Sequence, residues 1–236
     1  MVNVRTVAWS SVGKKYASGI TGLALVLFLV GHLIGNLLIY VGPDAFNFYA
    51  YFLEHLGHGW LLYFVEAGLI AFFVLHIVTG ISVYRGKRAA RIDPYYQVGD
   101  AGGSSHKSLA SRTMILTGVV IFVFVVLHVK MFKYGRADLV VLPGGEEARD
   151  VYTLVVRAFK SPLIALGYTA VMVLIGFHLR HGIWSAFQSI GVSHPRITPA
   201  LYLAGIVAGI LLAFGFLLFP VIILLFYENP AAGGGG

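Results

Sequence analysis

The chain contains no cysteine. That excludes structural disulfides, a thiolate-held iron–sulfur cluster and covalent attachment of haem through a CxxCH motif. Charge is scarce as well. Asp, Glu, Lys and Arg make up only 11% of the 236 residues, less than half the share of roughly 25% in an ordinary soluble domain. What fills the space is apolar side chain, at 58% of residues and a mean hydropathy of +0.83. No soluble domain of this length needs so much.

Runs of about 20 apolar residues, long enough to span a bilayer core, recur along the chain. They predict five helices, over about Tyr16–Val41, Trp60–Tyr84, Leu109–Phe132, Pro162 to past Trp184, and Ala200–Tyr227. The fold class is therefore an all-α integral membrane protein, with one transmembrane domain over 1–229 and a disordered tail over 230–236. Residues 1–15 are mixed and polar, and the apolar run after them is too long for a cleaved signal. Ser161-Pro162 and Thr198-Pro199 each offer a hydroxyl N-cap before a first-turn proline. Trp60, Tyr84, Tyr168 and Trp184 are expected interfacial anchors. Pro220 is expected to kink the fifth span. Asp44–His58 is expected to hold a short surface helix, and 133–160 is the longest and least predictable connection.

The basic residues set a direction. Arg5, Lys14, Lys15, Arg85, Lys87, Arg88, Arg91, Lys107, Arg112, Arg180 and Arg196 share one side, opposed there only by Asp93 and Asp100. The other side has six basic residues against seven acids. The N-terminus is thus expected in the cytoplasm and the C-terminus outside, in a multi-pass protein of the cytoplasmic (inner) membrane. Topology accounts for the net charge of +7, and no nucleic-acid partner is needed. The same basic face suits a cytoplasmic docking partner.

Four histidines, His32, His76, His128 and His178, fall inside four different spans. An ionisable side chain in hydrocarbon is a functional-site hypothesis by default. Any one of them is also an ordinary helix–helix hydrogen-bond donor. Four of them at two matched depths read instead as two pairs of metal ligands, and the metal that suits paired histidines in a lipid-embedded bundle is haem iron. His32 lies roughly 25 Å beyond Lys15 and His128 roughly 24 Å beyond Arg112, whereas His76 is only about 14 Å from Arg85, at 1.5 Å per residue. His178 comes late in a helix running inward. Depth therefore pairs His32 with His128 (outer) and His76 with His178 (inner). With no cysteine, both haems are of b type, and bis-histidine ligation favours electron transfer over oxygen binding. Gly35, Gly80 and Gly182 share helix faces with their neighbouring ligands, and are expected to make room for a flat macrocycle.

His181 is the competitor for the fourth ligand, since i and i+3 share a face. Arg180 either pairs with a haem propionate or, like His181, marks the interface. His55, His58, His106 and His194 are expected to be solvated. Glu66, the only acid inside a span, either carries a proton for quinone chemistry or snorkels to the outer headgroups.

The chain resembles the membrane anchor of di-haem, single-polypeptide succinate dehydrogenases and quinol:fumarate reductases. The resemblance rests on Thr21-Gly22-Leu23 leading to Gly31-His32-Leu33-Ile34-Gly35-Asn36-Leu37, and on the stretch from Gly176-Phe177-His178-Leu179-Arg180-His181-Gly182 to Ser189. It implies two haems b, the proximal one on His76 and His178 and the distal one on His32 and His128. It also implies iron–sulfur and flavoprotein subunits docked on the cytoplasmic side, the flavoprotein carrying the dicarboxylate chemistry, and a membrane quinone, usually menaquinone. Some relatives place a proton-moving glutamate two residues before the fourth ligand, where this chain has Gly176. The quinone site stays open between the inner interface and the outer region near Glu54, His58 and Glu66. Two other readings stand beside this one. A di-haem subunit of a formate dehydrogenase, hydrogenase or nitrate reductase shares the chemistry, and a transporter with a histidine relay does not. The lack of intramembrane charge beyond Glu66 counts against the transporter.

Overall fold

A computed structural model describes residues 9–89, 109–192 and 194–230. The expectations for Arg5, Arg91, Asp93, Asp100, His106 and Lys107, and for the tail beyond Pro230, lie outside the described residues. Helix α1 covers Ser11–Leu37 and tightens into a 3₁₀ turn over Leu38–Tyr40. There follow α2 (Pro43–His55), α3 (Trp60–Ala89), α4 (Leu109–Phe132), a hairpin of β1 (Leu139–Val141) and β2 (Glu147–Arg149), α5 (Val151–Phe159), α6 (Pro162–Ser189) and α7 (Thr198–Phe226). Among these, α1, α3, α4, α6 and α7 are long and apolar enough to cross a membrane. Their outward faces carry Leu27, Phe64, Leu163 and Phe226, all more than 70% exposed. A continuous apolar surface of this kind has lipid, not water, as its solvent.

Helices α6 and α7 pack along their whole length. Small residues bring them together. A Cβ on Gly209 would lie 3.0 Å from the Arg180 backbone nitrogen, one on Gly205 would lie 3.3 Å from that of Trp184, and one on Gly176 would meet the Ala213 methyl at 2.9 Å. Close backbone approach through small residues is the main source of helix association in lipid. Helix α1 packs on α6 and α3, α4 packs on α6, and α3 and α4 touch each other only marginally. Met172, Ile175, Leu179, Ile183 and Leu212 form the mid-membrane core.

Several local expectations change. The first helix begins at Ser11, five residues before Tyr16, because the Ser10 hydroxyl accepts the Gly13 N–H at 3.1 Å and caps it. Ser161 does precede α6, but makes no side-chain cap bond. Thr198 is not an N-cap. It is the first residue of α7, and its hydroxyl accepts the His194 N–H in the turn before the helix. Trp184 is not a lipid-facing anchor: it is buried against Tyr202 of α7. Tyr168 sits within an aromatic group of Phe124, Phe132 and Phe159. Trp60 and Tyr84 are exposed, as anchors require. Helix α7 runs on through Pro220, which is buried.

The connection over 133–160 folds into a cap on one end of the bundle. A turn with Gly145 at φ +91° closes the β1–β2 hairpin. Helix α5 then lays Val155, Val156 and Phe159 against Phe46 of α2 and against Ile39, Phe219 and Ile223 at the bundle's end. A polar clamp ties the parts. Asn47, 2% exposed, donates to the Asp150 carboxylate at 3.0 Å and accepts the Tyr152 N–H at 2.9 Å. Asp150 also caps α5 by accepting the Thr153 N–H. The Lys160 ammonium donates to the Leu224 carbonyl at the end of α7, where the helix dipole favours a cation.

Burial alone would raise the Asp150 carboxyl, but its hydrogen bonds to Thr153 and Asn47 and the charge of Arg157 outweigh that, so it titrates below its ordinary value. Its contribution is therefore complete above the unfolded pKa and is lost as pH falls through the lower folded value. Asp150→Ala is expected to cost the cap about 1 kcal/mol at neutral pH and to flatten its acid sensitivity. Hydrogen exchange over 138–160 between pH 3 and 7 checks both; unchanged exchange rates at neutral pH contradict the clamp.

Candidate functional site

The four spans place their histidines in two facing pairs. His32 of α1 meets His128 of α4 with ring centroids 5.8 Å apart and planes at 90°. His76 of α3 meets His178 of α6 at 6.4 Å and 68°. The pairing is the one expected from depth. The two levels are separated by the eleven residues from Thr21, which touches His76, to His32, or about 16 Å of helix. The His32–His128 pair lies toward the cap. The His76–His178 pair lies toward the opposite, basic end, near which Lys15, Arg85, Lys87 and Arg88 are found.

At the basic-end pair the hydrogen bonds set the tautomers. His76 Nδ1 lies 3.1 Å from the Ser18 carbonyl and 3.4 Å from the Thr21 hydroxyl. Thr21 has already donated its proton to the Ala17 carbonyl at 2.7 Å. His178 Nδ1 lies 3.0 Å from the Thr117 hydroxyl, whose proton goes to the Thr113 and Met114 carbonyls. The Ser18 carbonyl can only accept, so His76 Nδ1 carries its proton; with the Thr117 proton given to its own helix, that hydroxyl accepts from His178 Nδ1, and Nε2 of each ring keeps its lone pair. Both threonines are 2–3% exposed. Each is followed by a glycine beside the imidazole it supports. A Cβ on Gly22 would lie 3.1 Å from His76 Cε1, and one on Gly118 would lie 3.7 Å from His178 Cε1.

The cap-end pair is walled by aromatic rings. Phe28 stacks on His32 and Phe124 on His128, with Phe132, Tyr168 and Phe216 close by. Its hydrogen bonding is thinner. The Asn36 amide donates to the His32 carbonyl at 2.7 Å and is 3.4 Å from His32 Nδ1. His128 Nδ1 is buried without a hydrogen-bond partner among the described residues.

These residues fit an axial ligand set. Two imidazoles bound on opposite sides of one metal at about 2 Å would put their ring centroids about 6 Å apart, which matches both pairs. Among the described residues no three His, Cys, Asp or Glu converge on one point. Two imidazoles alone do not hold a bare ion, whereas two imidazoles paired at this separation suit a macrocycle that brings its own further donors.

The other candidates fall out differently. His181 lies about one turn nearer the basic end, with Lys87 among its electrostatic neighbours, and its ring makes no contact with His76 among the described ring pairs. Arg180 leaves α6 on the face that packs against Gly209 of α7, not on the face of His178. His55, His58 and His194 are exposed. Gly80 and Gly182 have open space where a Cβ would stand, but Gly35 does not: a Cβ there would meet the Tyr49 ring at 2.5 Å. Gly35 makes room for a tyrosine of α2, not for a macrocycle. Glu66 is ion-paired with Lys133, just past the end of α4. Burial lowers the Lys133 ammonium from its usual range, and nearby Glu54 partly restores it.

Thr21 and Thr117 were not singled out as site residues from the sequence, although a signal was present. Thr-Gly, nine residues, then His occurs in both α1 (Thr21, Gly22, His32) and α4 (Thr117, Gly118, His128). Eleven residues are close to three turns, so threonine and histidine share one face.

No family model, curated protein or solved structure matches this chain.

The geometry separates the two candidates for the fourth ligand. If the basic-end pair holds a metal porphyrin, His178→Ala is expected to abolish its binding there, whereas His181→Ala retains it. Optical spectra of the two purified variants decide, and the reverse outcome assigns the ligand to His181.

Proposed function

We propose that this chain is the membrane anchor and electron-transfer subunit of a succinate:quinone oxidoreductase or quinol:fumarate reductase. The observation that carries this reading is the two histidine pairs, each drawn from two helices and set about 16 Å apart along α1. His76 and His178 would hold the inner haem b, and His32 and His128 the outer one. Bound there, the two haems would supply one-electron carriers.

The chain's own residues do the rest. Thr21, Ser18 and Thr117 hold the inner imidazoles as neutral Nε2 donors. The aromatic wall around His32 and His128 keeps water from the outer level. The basic end, with Lys15, Arg85, Lys87 and Arg88 exposed, offers a complementary face to an iron–sulfur subunit that links to a flavoprotein in the cytoplasm. The positive-inside bias supports that orientation.

Quinone chemistry moves protons with electrons, so a Brønsted group is needed near the quinone. Glu66 takes that role in this reading. Its carboxyl group, held by the Lys133 ammonium, would pass the proton released on quinol oxidation at the outer side. Gly176 gives no such group, and its contact with Ala213 leaves no room for one. A proton path using a glutamate at that position therefore has no counterpart here.

The purified complex is expected to contain two haems b per copy of this chain, with two resolvable midpoint potentials. His32→Ala or His128→Ala should remove one, and His76→Ala should remove the other and weaken assembly with the soluble subunits. Pyridine haemochrome content and a redox titration test this; one haem or none per chain rejects the assignment. Glu66→Gln is expected to keep both haems and to lower quinol-dependent turnover at least tenfold. Co-purification of a flavoprotein with succinate activity separates this reading from other di-haem oxidoreductases.

A further inference from the structure

Two of the spans carry the same arrangement of residues, and each serves two levels at once. On α1, His32 belongs to the cap-end pair, while Thr21 and Gly22, eleven residues earlier, face His76 of the neighbouring α3. On α4, His128 belongs to the same cap-end pair, while Thr117 and Gly118, again eleven residues earlier, face His178 of α6. Each of these helices thus gives a ligand to one level and a hydroxyl acceptor to the ligand of the other. A third Thr-Gly pair, Thr79-Gly80 on α3, does not do this: among the described residues Thr79 bonds its own helix, at the Leu75 and His76 carbonyls.

The geometry points to Thr21 and Thr117 as positioning residues that tune the inner haem through the Nδ1–H of its two ligands. This rests on the proposed assignment of His76 and His178. A hydrogen bond from Nδ1–H to an oxygen raises the basicity of Nε2, fixes the ring's orientation and favours the more highly charged ferric iron. The two hydroxyls are not equal. His178 has Thr117 as its acceptor, whereas His76 keeps the Ser18 carbonyl at 3.1 Å, closer than Thr21 at 3.4 Å. The glycines differ in the same graded way. A methyl on Gly22 presses on His76 at 3.1 Å, and one on Gly118 reaches only ordinary contact with His178 at 3.7 Å.

The test uses the full chain with its co-purifying subunits, and reads the midpoint potential of each haem and the low-temperature spectrum of the ferric protein. Thr117→Val keeps the side chain's shape and removes the acceptor. It is expected to move the inner-haem potential in the positive direction and leave the outer one in place. Thr117→Ser should restore the original value, and Thr21→Val should give a smaller shift of the same sign. Gly22→Ala should change the inner-haem ferric spectrum, and Gly118→Ala should not. Loss of the inner haem in Thr117→Val but not in Thr117→Ser is the same result in stronger form. An unchanged inner-haem potential in Thr117→Val overturns the inference, as does equal haem loss in the Val and Ser variants, which would mark a packing role. Absence of haem from the unmutated complex is a different failure, and falls on the assignment of the ligands.

Discussion

The constraint on which the rest depends is that an imidazole in hydrocarbon has no water to receive its N–H. Leaving a polar group of that kind unpartnered costs about 1–3 kcal/mol, so a buried histidine is stabilised by an acceptor drawn from the protein. Here the available acceptors are a backbone carbonyl at Ser18 and two threonine hydroxyls. Those hydroxyls have already given their own protons to the preceding helical turn. A threonine bonded back to its helix presents lone pairs and nothing else. It therefore fixes which ring nitrogen is protonated, and the free Nε2 is left for whatever lies between the rings. Tautomer, ring direction and ligand capacity all follow from where one proton must go.

That arrangement is useful only if the helices carrying the rings are held in register. The rigid part is the α6–α7 pair, drawn together through Gly176, Gly205 and Gly209. Helix α1 docks on it closely at the basic end, where a Cβ on Gly19 would meet the Ala186 carbonyl at 3.1 Å. Helices α3 and α4 pack mainly on α1 and on α6 respectively and touch each other little. They carry His76 and His128, one ring of each pair. Each pair thus joins one of these outlying helices to the frame formed by α1 and α6. The cap closes one end by burying α5 against Phe219 and Ile223 of α7 and Ile39 after α1.

The spans and the histidine pairing were legible in the sequence for the same reason. In lipid, helices are apolar all round and their rise per residue is fixed, so length and depth can be counted without knowing the tertiary fold. What depended on distant contacts was not legible. The cap's strands are three residues each, too short for a period to show, and its clamp joins Asn47 to Asp150 across more than a hundred residues. Gly35 was misread because sharing a face with His32 is local, while the Tyr49 ring that fills its space arrives from a different helix. Trp184 looked like an anchor until α7 covered it. The threonines were overlooked for a subtler reason. A hydroxyl in an apolar helix ordinarily bonds its own backbone, and only the repeated spacing to the histidine sets Thr21 and Thr117 apart from Thr79.

The two levels are consequently different environments built by one repeated helix pattern. At the basic end, each ring has an oxygen at its Nδ1 and a glycine against its edge. At the cap end, aromatic rings enclose the pair, and His128 Nδ1 is buried with no acceptor among the described residues. The properties of a metal site follow from hydrogen bonding to its ligands and from its dielectric surroundings as much as from the ligands themselves. Two chemically identical groups seated at these levels would therefore not behave identically. The inequality needs no difference in ligand type. It follows from giving hydroxyls to one level and mostly aromatic rings to the other.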